Sequence, residues 1–292
     1  MTTATRPLRI LHLSDTHLFG DGSLHYGVVD TEAALRRVLD RAAPLETVDV
    51  VVLSGDLSDD GSAESYRLLR DLVGPWAARR GATVVYAMGN HDLPTGFEAV
   101  LGARTGLVNV RGVRIIHLDS SVPGFGYGDL DAVSLDWLRD ALSTPAENGT
   151  LLVLHHPPVP ATTPLLATLQ LQQPQRLLEL CAAGDVRLVL SGHYHHSLVT
   201  RAEGIPVVVA PGVTNTSDAI APRGRERAIV GAGFAVIDLP LDEPAAAELR
   251  VSFIAAAGPD DGRELFDLGS GQIAQIARES GHPATFSAAD AL

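Results

Sequence analysis

Asp15, His17, Asp56, Asn90, His155, His193 and His195 are the side chains of this sequence whose types could hold metal ions, and His91 could work on a substrate beside them. The set offers carboxylate oxygens, imidazole nitrogens and one amide oxygen, with no thiolate. Seven such donors are too many for a single tetrahedral zinc. They suit two metals that share a carboxylate, and Asp56, which stands alone at its position, is the natural bridge. This donor chemistry favours manganese, iron, zinc or cobalt over magnesium or calcium. Two metals about 3.5–4 Å apart can generate hydroxide and clamp a phosphoryl group for in-line displacement. In Gly89-Asn90-His91-Asp92, the Asn can give a metal its amide oxygen while the neighbouring His acts on what the metal holds.

Each cluster follows an apolar run. Leu8 to Ser14 reads as a strand that ends at Asp15-Thr16-His17, and Asp49 to Leu53 ends at Ser54-Gly55-Asp56. Ala82 to Met88 leads into Gly89-Asn90-His91-Asp92, Thr150 to Leu154 into His155-His156-Pro157-Pro158, and Val186 to Leu190 into Ser191-Gly192-His193-Tyr194-His195-His196. Between the first three strands lie helical patterns, with Asp30 and Ser62 as N-caps. Alternating strand and helix is the α/β rhythm, in which strands are covered on both faces and ligands gather at their carboxyl ends. Asp15 and His17, like His193 and His195, are two apart, so an extended segment would aim both members of a pair the same way. Gly55, Gly89 and Gly192 each precede a donor and would permit a tight turn there.

Farther along, Leu107 to Asp119 reads as two strands around Arg111-Gly112, and Pro174 opens a helix. Pro206 to Ala210, Gly233 to Leu239 and Leu249 to Ile254 read as strands, so the last third is richer in sheet. Thr214 to Gly231 reads as a loop carrying Arg223, Arg225 and Arg227, a solvated cluster more often than a phosphate clamp. After Gly258 the chain turns polar, with one short helix near Ile273 to Arg278.

Composition sets the outer bounds. The 292 residues are 46% hydrophobic and 20% charged, which fits a folded globular protein. A formal net charge of −13 opposes nucleic acid backbones and anionic membrane surfaces. A phosphate-bearing small molecule would then need local positive charge, which bound metal supplies. Cys181 is the single cysteine and suits a reducing cytoplasm. The N-terminal stretch carries no signal-peptide pattern, and no run approaches a membrane span.

Any one cluster alone is only a polar strand-end turn. Together, D-x-H, G-D, G-N-H-D, a single His and G-H-x-H follow one another from Asp15 to His195 in the order that resembles the calcineurin-like metallophosphoesterases. Leu13-Ser14-Asp15-Thr16-His17-Leu18, Ser121-Val122-Pro123-Gly124 and His155-His156-Pro157-Pro158 resemble the bacterial class III cyclic nucleotide phosphodiesterases, in the pattern of their mycobacterial member. The resemblance implies a four-layer α/β/β/α sandwich and a dimetal centre, iron and manganese first, zinc or cobalt second. One metal would take Asp15, His17, Asp56 and His195; the other would take Asp56, Asn90, His155 and His193. His91 would be the catalytic residue at the leaving oxygen, with His17, Asn90 and His195 also lining the phosphate site. It further implies hydrolysis of 3′,5′-cyclic nucleotides to 5′-monophosphates, with 2′,3′-cyclic nucleotides and aryl diesters as further substrates. A homodimer is expected, with residues 1–257 as the catalytic domain and 258–292 as an extension that caps the pocket or makes the dimer contact. Gly124-Phe125-Gly126-Tyr127 departs from the family in lacking histidine. Glycerophosphodiester hydrolysis is the rival activity, and a silent metal-binding scaffold is the rival of another class.

The remaining polar residues have quieter readings. His156 reads as packing or as a partner behind a ligand, since it would face away from His155 in an extended segment. Asp92 reads as an acceptor behind Asn90, and His196 as a satisfied neighbour of His195. Asp59 either orients a water or substrate group or caps the approach to a helix. His12 reads as core or as a partner behind a ligand, and His25, His117 and His282 as structural or surface.

Overall fold

A computed structural model describes residues 6–241 and 249–282. The chain opens with β1 (Leu8–Leu13), α1 (Thr31–Arg41), β2 (Val50–Ser54), α2 (Ala63–Ala78), β3 (Thr83–Ala87) and α3 (Pro94–Val100). It continues through β4 (Gly106–Val110), β5 (Val113–Leu118), α4 (Ala132–Ala141), β6 (Thr150–Leu154), α5 (Pro164–Thr168), α6 (Pro174–Ala183) and β7 (Val186–Ser191). The remainder is β8 (Leu198–Ala202), β9 (Ile205–Val209), β10 (Asn215–Ser217), β11 (Glu226–Val230), β12 (Gly233–Leu239), β13 (Arg250–Ala255), β14 (Glu264–Leu268) and α7 (Ser270–Ser280).

Two large sheets form the body, in the orders β13-β12-β1-β2-β3 and β4-β5-β6-β7-β9-β8. The period of two sorts each strand's apolar residues between two cores. Ile10, Val50, Val52 and Val85 of one sheet meet Ile115, Leu151, Val153, Leu188 and Val208 of the other in the layer between the sheets. Leu11, Leu13, Val51 and Leu53 face outward onto α1 and α2. Leu152, Leu154 and Val189 face outward onto α4 and α6. The result is the expected α/β/β/α sandwich, with both faces of each central strand covered.

Side-chain caps stop the helices where the sequence places them. Asp30 accepts from the Ala33 amide and Ser62 from the Ser65 amide, satisfying amides that have no partner in the first turn. Strands β1, β2 and β3 run parallel, as do β5, β6, β7 and β9. The carboxyl ends of β1, β2, β3, β6 and β7 all lead into donor residues.

The region after Ala210 departs from its sequence reading. Thr214 to Gly231 is not a plain loop: it contains β10 and β11, which with β14 make a third sheet in the order β10-β11-β14. Arg225 donates to Asp267 at 2.8 Å, and Arg227 lies near Asp218, Glu264 and Asp267. Two of the three arginines therefore brace this sheet. Within the described residues, 258–282, the polar stretch enters the same pairing through β14, and α7 follows against α5; the rest of the expected extension, 283–292, lies outside the described residues. Composition hid β14 because Glu264–Leu268 has no polar/apolar alternation and none of its residues is buried in a core.

Candidate metal centre

The donor atoms converge where the two sheets open at their carboxyl ends. Asp56 lies at the middle, with one carboxylate oxygen 3.3 Å from Nε2 of His155 and 3.8 Å from Nε2 of His17. Asp15 lies beside it, its oxygen 3.2 Å from Nε2 of His195 and 4.0 Å from Nε2 of His155. The Nε2 atoms of His17 and His195 are 3.3 Å apart. The His193 ring packs on His155 with centroids 5.1 Å apart. Asn90 Oδ1 and His155 Nε2 are buried without a hydrogen-bond partner. Buried polar atoms normally find partners, so these two atoms fit coordination of a cation, and His155 Nε2 lies against the Asp56 and Asp15 carboxylates.

The outer nitrogens are occupied. His155 Nδ1 donates to the Ser54 carbonyl at 2.8 Å, and His17 Nδ1 to Asp59 at 2.9 Å. His193 Nε2 donates to the Leu169 carbonyl at 2.9 Å. Such partners fix ring orientation and tautomer, leaving Nε2 of His155 and His17 and Nδ1 of His193 as lone-pair donors.

Electrostatics divides the donors into groups already in their metal-binding form and groups that a metal would have to deprotonate. Burial opposes ionisation of Asp15, but the His195 and His155 imidazoles hold its carboxyl well below the usual range. Asp56 is held down against burial in the same way by His155 and His91. Burial pulls His17 down to about 4 despite Asp59, and His193 down to about 3 with help from His155. Against burial, Asp56 and Asp15 raise His155 to about 9 and Asp15 raises His195, so these two imidazoles favour a proton that a metal would displace, whereas the ionised carboxylates and neutral His17 and His193 are already in the form that binds a metal.

The backbone around the cluster is strained. Asp15, His17, Asp56, His193 and His195 have φ of 55°, 42°, 49°, 67° and 51°. Left-handed conformations cost non-glycine residues of order 1–3 kcal/mol each and gather at functional sites. Among the described residues, the other non-glycine cases are Tyr26, Gln173 ahead of α6, and Arg111 and Glu203 in tight hairpins.

This geometry corrects two sequence expectations. Asp15 and His17 do not converge by alternation along an extended segment, nor do His193 and His195. Each pair curls back through left-handed residues just past the strand. Gly55 does take a positive φ, of +101°, but Gly89 and Gly192 do not. They are needed for space: a Cβ on Gly89 would lie 2.3 Å from the Asp56 amide nitrogen, and one on Gly192 would lie 1.8 Å from Ser14 Oγ.

Asp59 is a hub. One oxygen lies 2.9 Å from His17 Nδ1, 3.1 Å from His91 Nδ1 and 3.5 Å from His25 Nδ1. It meets three histidines, a role that neither sequence reading (orienting a water or substrate group, or capping a helix) named. His91 is the exposed member, its side chain 43% accessible at the rim. Burial lowers its pKa, but Asp56 and Asp59 together push it up to about 9. Asp92 accepts from the amides of Leu57, Ser58 and Gly89, tying the β2 and β3 ends together. His156 bonds Ser120 and the Gly126 carbonyl, and Gly126 in turn donates to the Ser280 carbonyl of α7 at 2.8 Å. His196 is satisfied by the Tyr194 carbonyl, and His12 lies buried on Ser54.

His25 is the residue that sequence reasoning missed. It is buried, with its ring 4.6 Å from that of His17. It comes from a loop with no apolar period, so spacing carried no signal for it. The loop closes through a His25–Val29 pairing, which turns the imidazole inward.

Comparison with known proteins agrees with this architecture. The model of the calcineurin-like phosphoesterase family matches residues 8–197, and the chain belongs to that family. It is therefore an enzyme of the phosphoesterase class, with clusters fit for the dimetal centre that this class uses. A protein of Rhodococcus erythropolis named "Probable cyclic nucleotide phosphodiesterase" is 40% identical over 231 residues, covering 76% of each chain. The cAMP/cGMP dual specificity phosphodiesterase of Mycobacterium tuberculosis is 39% identical over 231 residues, covering 76% of this chain and 73% of the relative. Among solved structures, a purple acid phosphatase from yellow lupin superposes with a TM-score of 0.59 at 11% identity, covering 98% of this chain and 58% of that one. GAP50, the anchor in the inner membrane complex of Plasmodium, superposes at 0.58 with 13% identity, covering 91% and 89%. These two likenesses speak for the fold alone, since one fold serves both catalysts and anchors. No helix of the described residues is long and apolar enough to cross a membrane.

Proposed function

We propose that this chain hydrolyses 3′,5′-cyclic nucleotides, cAMP and cGMP, to nucleoside 5′-monophosphates at a dimetal centre. The observation that carries this reading is the convergence of two ionised carboxylates and buried imidazoles beside the half-exposed His91, with the Asn90 amide oxygen buried and unpartnered at the end of β3. Asp15, His17, Asp56 and His195 would hold one metal, and Asp56, Asn90, His155 and His193 the other. Two metals supply a hydroxide nucleophile at neutral pH and neutralise charge on the phosphate.

The chain's own groups do the rest. Asp59 takes His91 Nδ1, which leaves Nε2 of this half-exposed ring to serve the substrate. His91 gives its proton to O3′ as the P–O3′ bond breaks, so the leaving alkoxide never carries full charge. Asp92 ties the loops that carry Asp56 and Asn90, which preserves their spacing during turnover. A net charge of −13 favours a small diester over a polyanion, because only the local positive field of the site attracts phosphate.

We assign iron and manganese to the two positions; zinc or cobalt suits the same donors. The resemblance to the cyclic nucleotide enzymes also supports a homodimer, and the buried, reduced Cys181 suits the cytoplasm. The extension from residue 258 acts on the pocket edge through the Gly126–Ser280 bond. A substrate panel tests the activity: cAMP, cGMP, 2′,3′-cAMP, bis(p-nitrophenyl) phosphate and glycerophosphocholine, with product analysis. Preferential release of 5′-AMP from cAMP is expected. Preference for glycerophosphocholine would replace this reading with the glycerophosphodiester one.

A further inference from the structure

The loop that turns His25 inward pushes its neighbour outward. Tyr26 and Gly27 form the tip of this turn, with φ of 52° and 66°. The turn is closed by reciprocal His25–Val29 backbone bonds and by Gly27 donating to the Leu24 carbonyl. Tyr26 is 61% exposed, a large amount for an aromatic ring held in a left-handed conformation. The ring is nonetheless fixed. Its edge meets His25 with centroids 4.5 Å apart, and Phe266 of β14 lies 5.4 Å away on another side. His25 in turn packs on His17, so Tyr26 stands two ring contacts from the metal cluster, at its mouth.

A strained, braced and exposed aromatic ring at the mouth of a phosphate site has a specific use. The dimetal centre reads only phosphate, and a nucleotide's base must lie a few bonds outward from it. Every base has a π face, and stacking on an aromatic side chain needs no hydrogen-bond code. We propose that Tyr26, backed by Phe266, is the stacking platform for the nucleobase and makes this site select nucleotides over base-free diesters. The proposal rests on the cyclic nucleotide reading given above. It also accounts for how one site could accept adenine and guanine alike, since a platform contacts the ring face and not its edge.

The test uses the full chain loaded with manganese, comparing Tyr26→Ala, Tyr26→Phe and Tyr26→Trp. Substrates are cAMP and the base-free ribose 3′,5′-cyclic phosphate, and 5′-AMP binding is measured separately by calorimetry. Tyr26→Ala is expected to raise KM for cAMP about ten-fold or more, with kcat little changed. The same variant should leave the base-free substrate within about two-fold. Tyr26→Phe should match wild type and Tyr26→Trp should bind 5′-AMP at least as tightly, so the ring and not the hydroxyl is read. If Tyr26→Ala fails to fold, these two variants decide the matter: loss in Tyr26→Phe overturns the platform. Equal losses on both substrates, or an unchanged KM for cAMP, also overturn it. If wild type turns over no cyclic nucleotide, the hydrolysis reading fails, while weaker 5′-AMP binding by Tyr26→Ala still upholds the platform; absence of any 5′-AMP binding by wild type overturns it.

Discussion

Replacing Gly89 by alanine probes the spacing between the β2 and β3 ends with a single methyl group. That methyl would lie 2.3 Å from both the backbone nitrogen and a carboxylate oxygen of Asp56. A flexible side-chain end could swing aside, but the Asp56 amide is backbone, so one of the two loops must move. Overpacking of this kind costs about 1–3 kcal/mol. The shift also loosens the bond from the His91 amide to Asp56, now 2.8 Å, and a hydrogen bond to a charged group contributes about 1.5–3 kcal/mol. A combined loss of about 3 kcal/mol should lower Tm by roughly 5–10 °C in a chain of this size. Because Asp56 is the proposed bridging carboxylate, both metals should loosen, by roughly 10- to 100-fold in affinity, the range seen when groups behind a ligand are disturbed. The assay is a thermal melt on metal-loaded and chelated protein, with metal content after dialysis. Gly74→Ala is the matched control: it lies inside α2, its added Cβ would meet nothing within 4 Å, and helix propensity predicts a gain of up to about 1 kcal/mol. If Gly89→Ala matched Gly74→Ala in Tm and metal content, the close-approach argument would be wrong.

Other consequences can be checked separately. Asn90→Ala should lose one metal on dialysis, whereas His91→Ala should keep both and lose turnover by roughly 100-fold or more; metal analysis beside cAMP hydrolysis separates them, and a metal-depleted His91→Ala would undo the assigned roles. Cys181 is buried, and burial pushes its thiol up to about 12, so the native protein should resist a disulfide reagent at pH 8 and react fully once unfolded. Glu226 is buried in β11 and accepts from the Leu165 amide at 3.3 Å. Burial raises its pKa above the ordinary glutamate value of 4.5, so the folded protein favours the protonated form. Its penalty is absent below the unfolded pKa and grows as pH rises toward the raised folded value. Glu226→Gln should therefore increase Tm at pH 7–8, with the gain shrinking toward pH 4.5; a pH-independent difference would show that Glu226 does not titrate this way.

The layers were legible because both halves of the signal are local. Unbroken apolar strands such as Val50 to Leu53, followed by capped amphipathic helices, can only be covered on both faces. The donor residues were legible because each sits directly past such a strand. The means by which they converge was not. Left-handed φ at Asp15, His17, Asp56, His193 and His195 leaves no mark in residue type, since these are not glycines. Likewise, Gly89 and Gly192 look like turn residues, yet what they provide is room for Asp56 and Ser14 far away in sequence. His25 and Tyr26 come from a loop that meets β14 only through Phe266, some 240 residues later, and β14 itself has neither the alternation nor the burial of a recognisable strand. Long-range placement of irregular segments is what local pattern does not encode.

In the mechanism we propose, two metals held by the Asp15–His195 donor set carry out the hydrolysis. Metal analysis of the purified chain, joined to stepwise reloading after chelation, tests it most directly. We expect two transition-metal equivalents per chain, no cAMP hydrolysis after chelation, and recovery that is complete only with the second equivalent. A chain that binds no transition metal, or hydrolyses cAMP equally well after chelation, would contradict it.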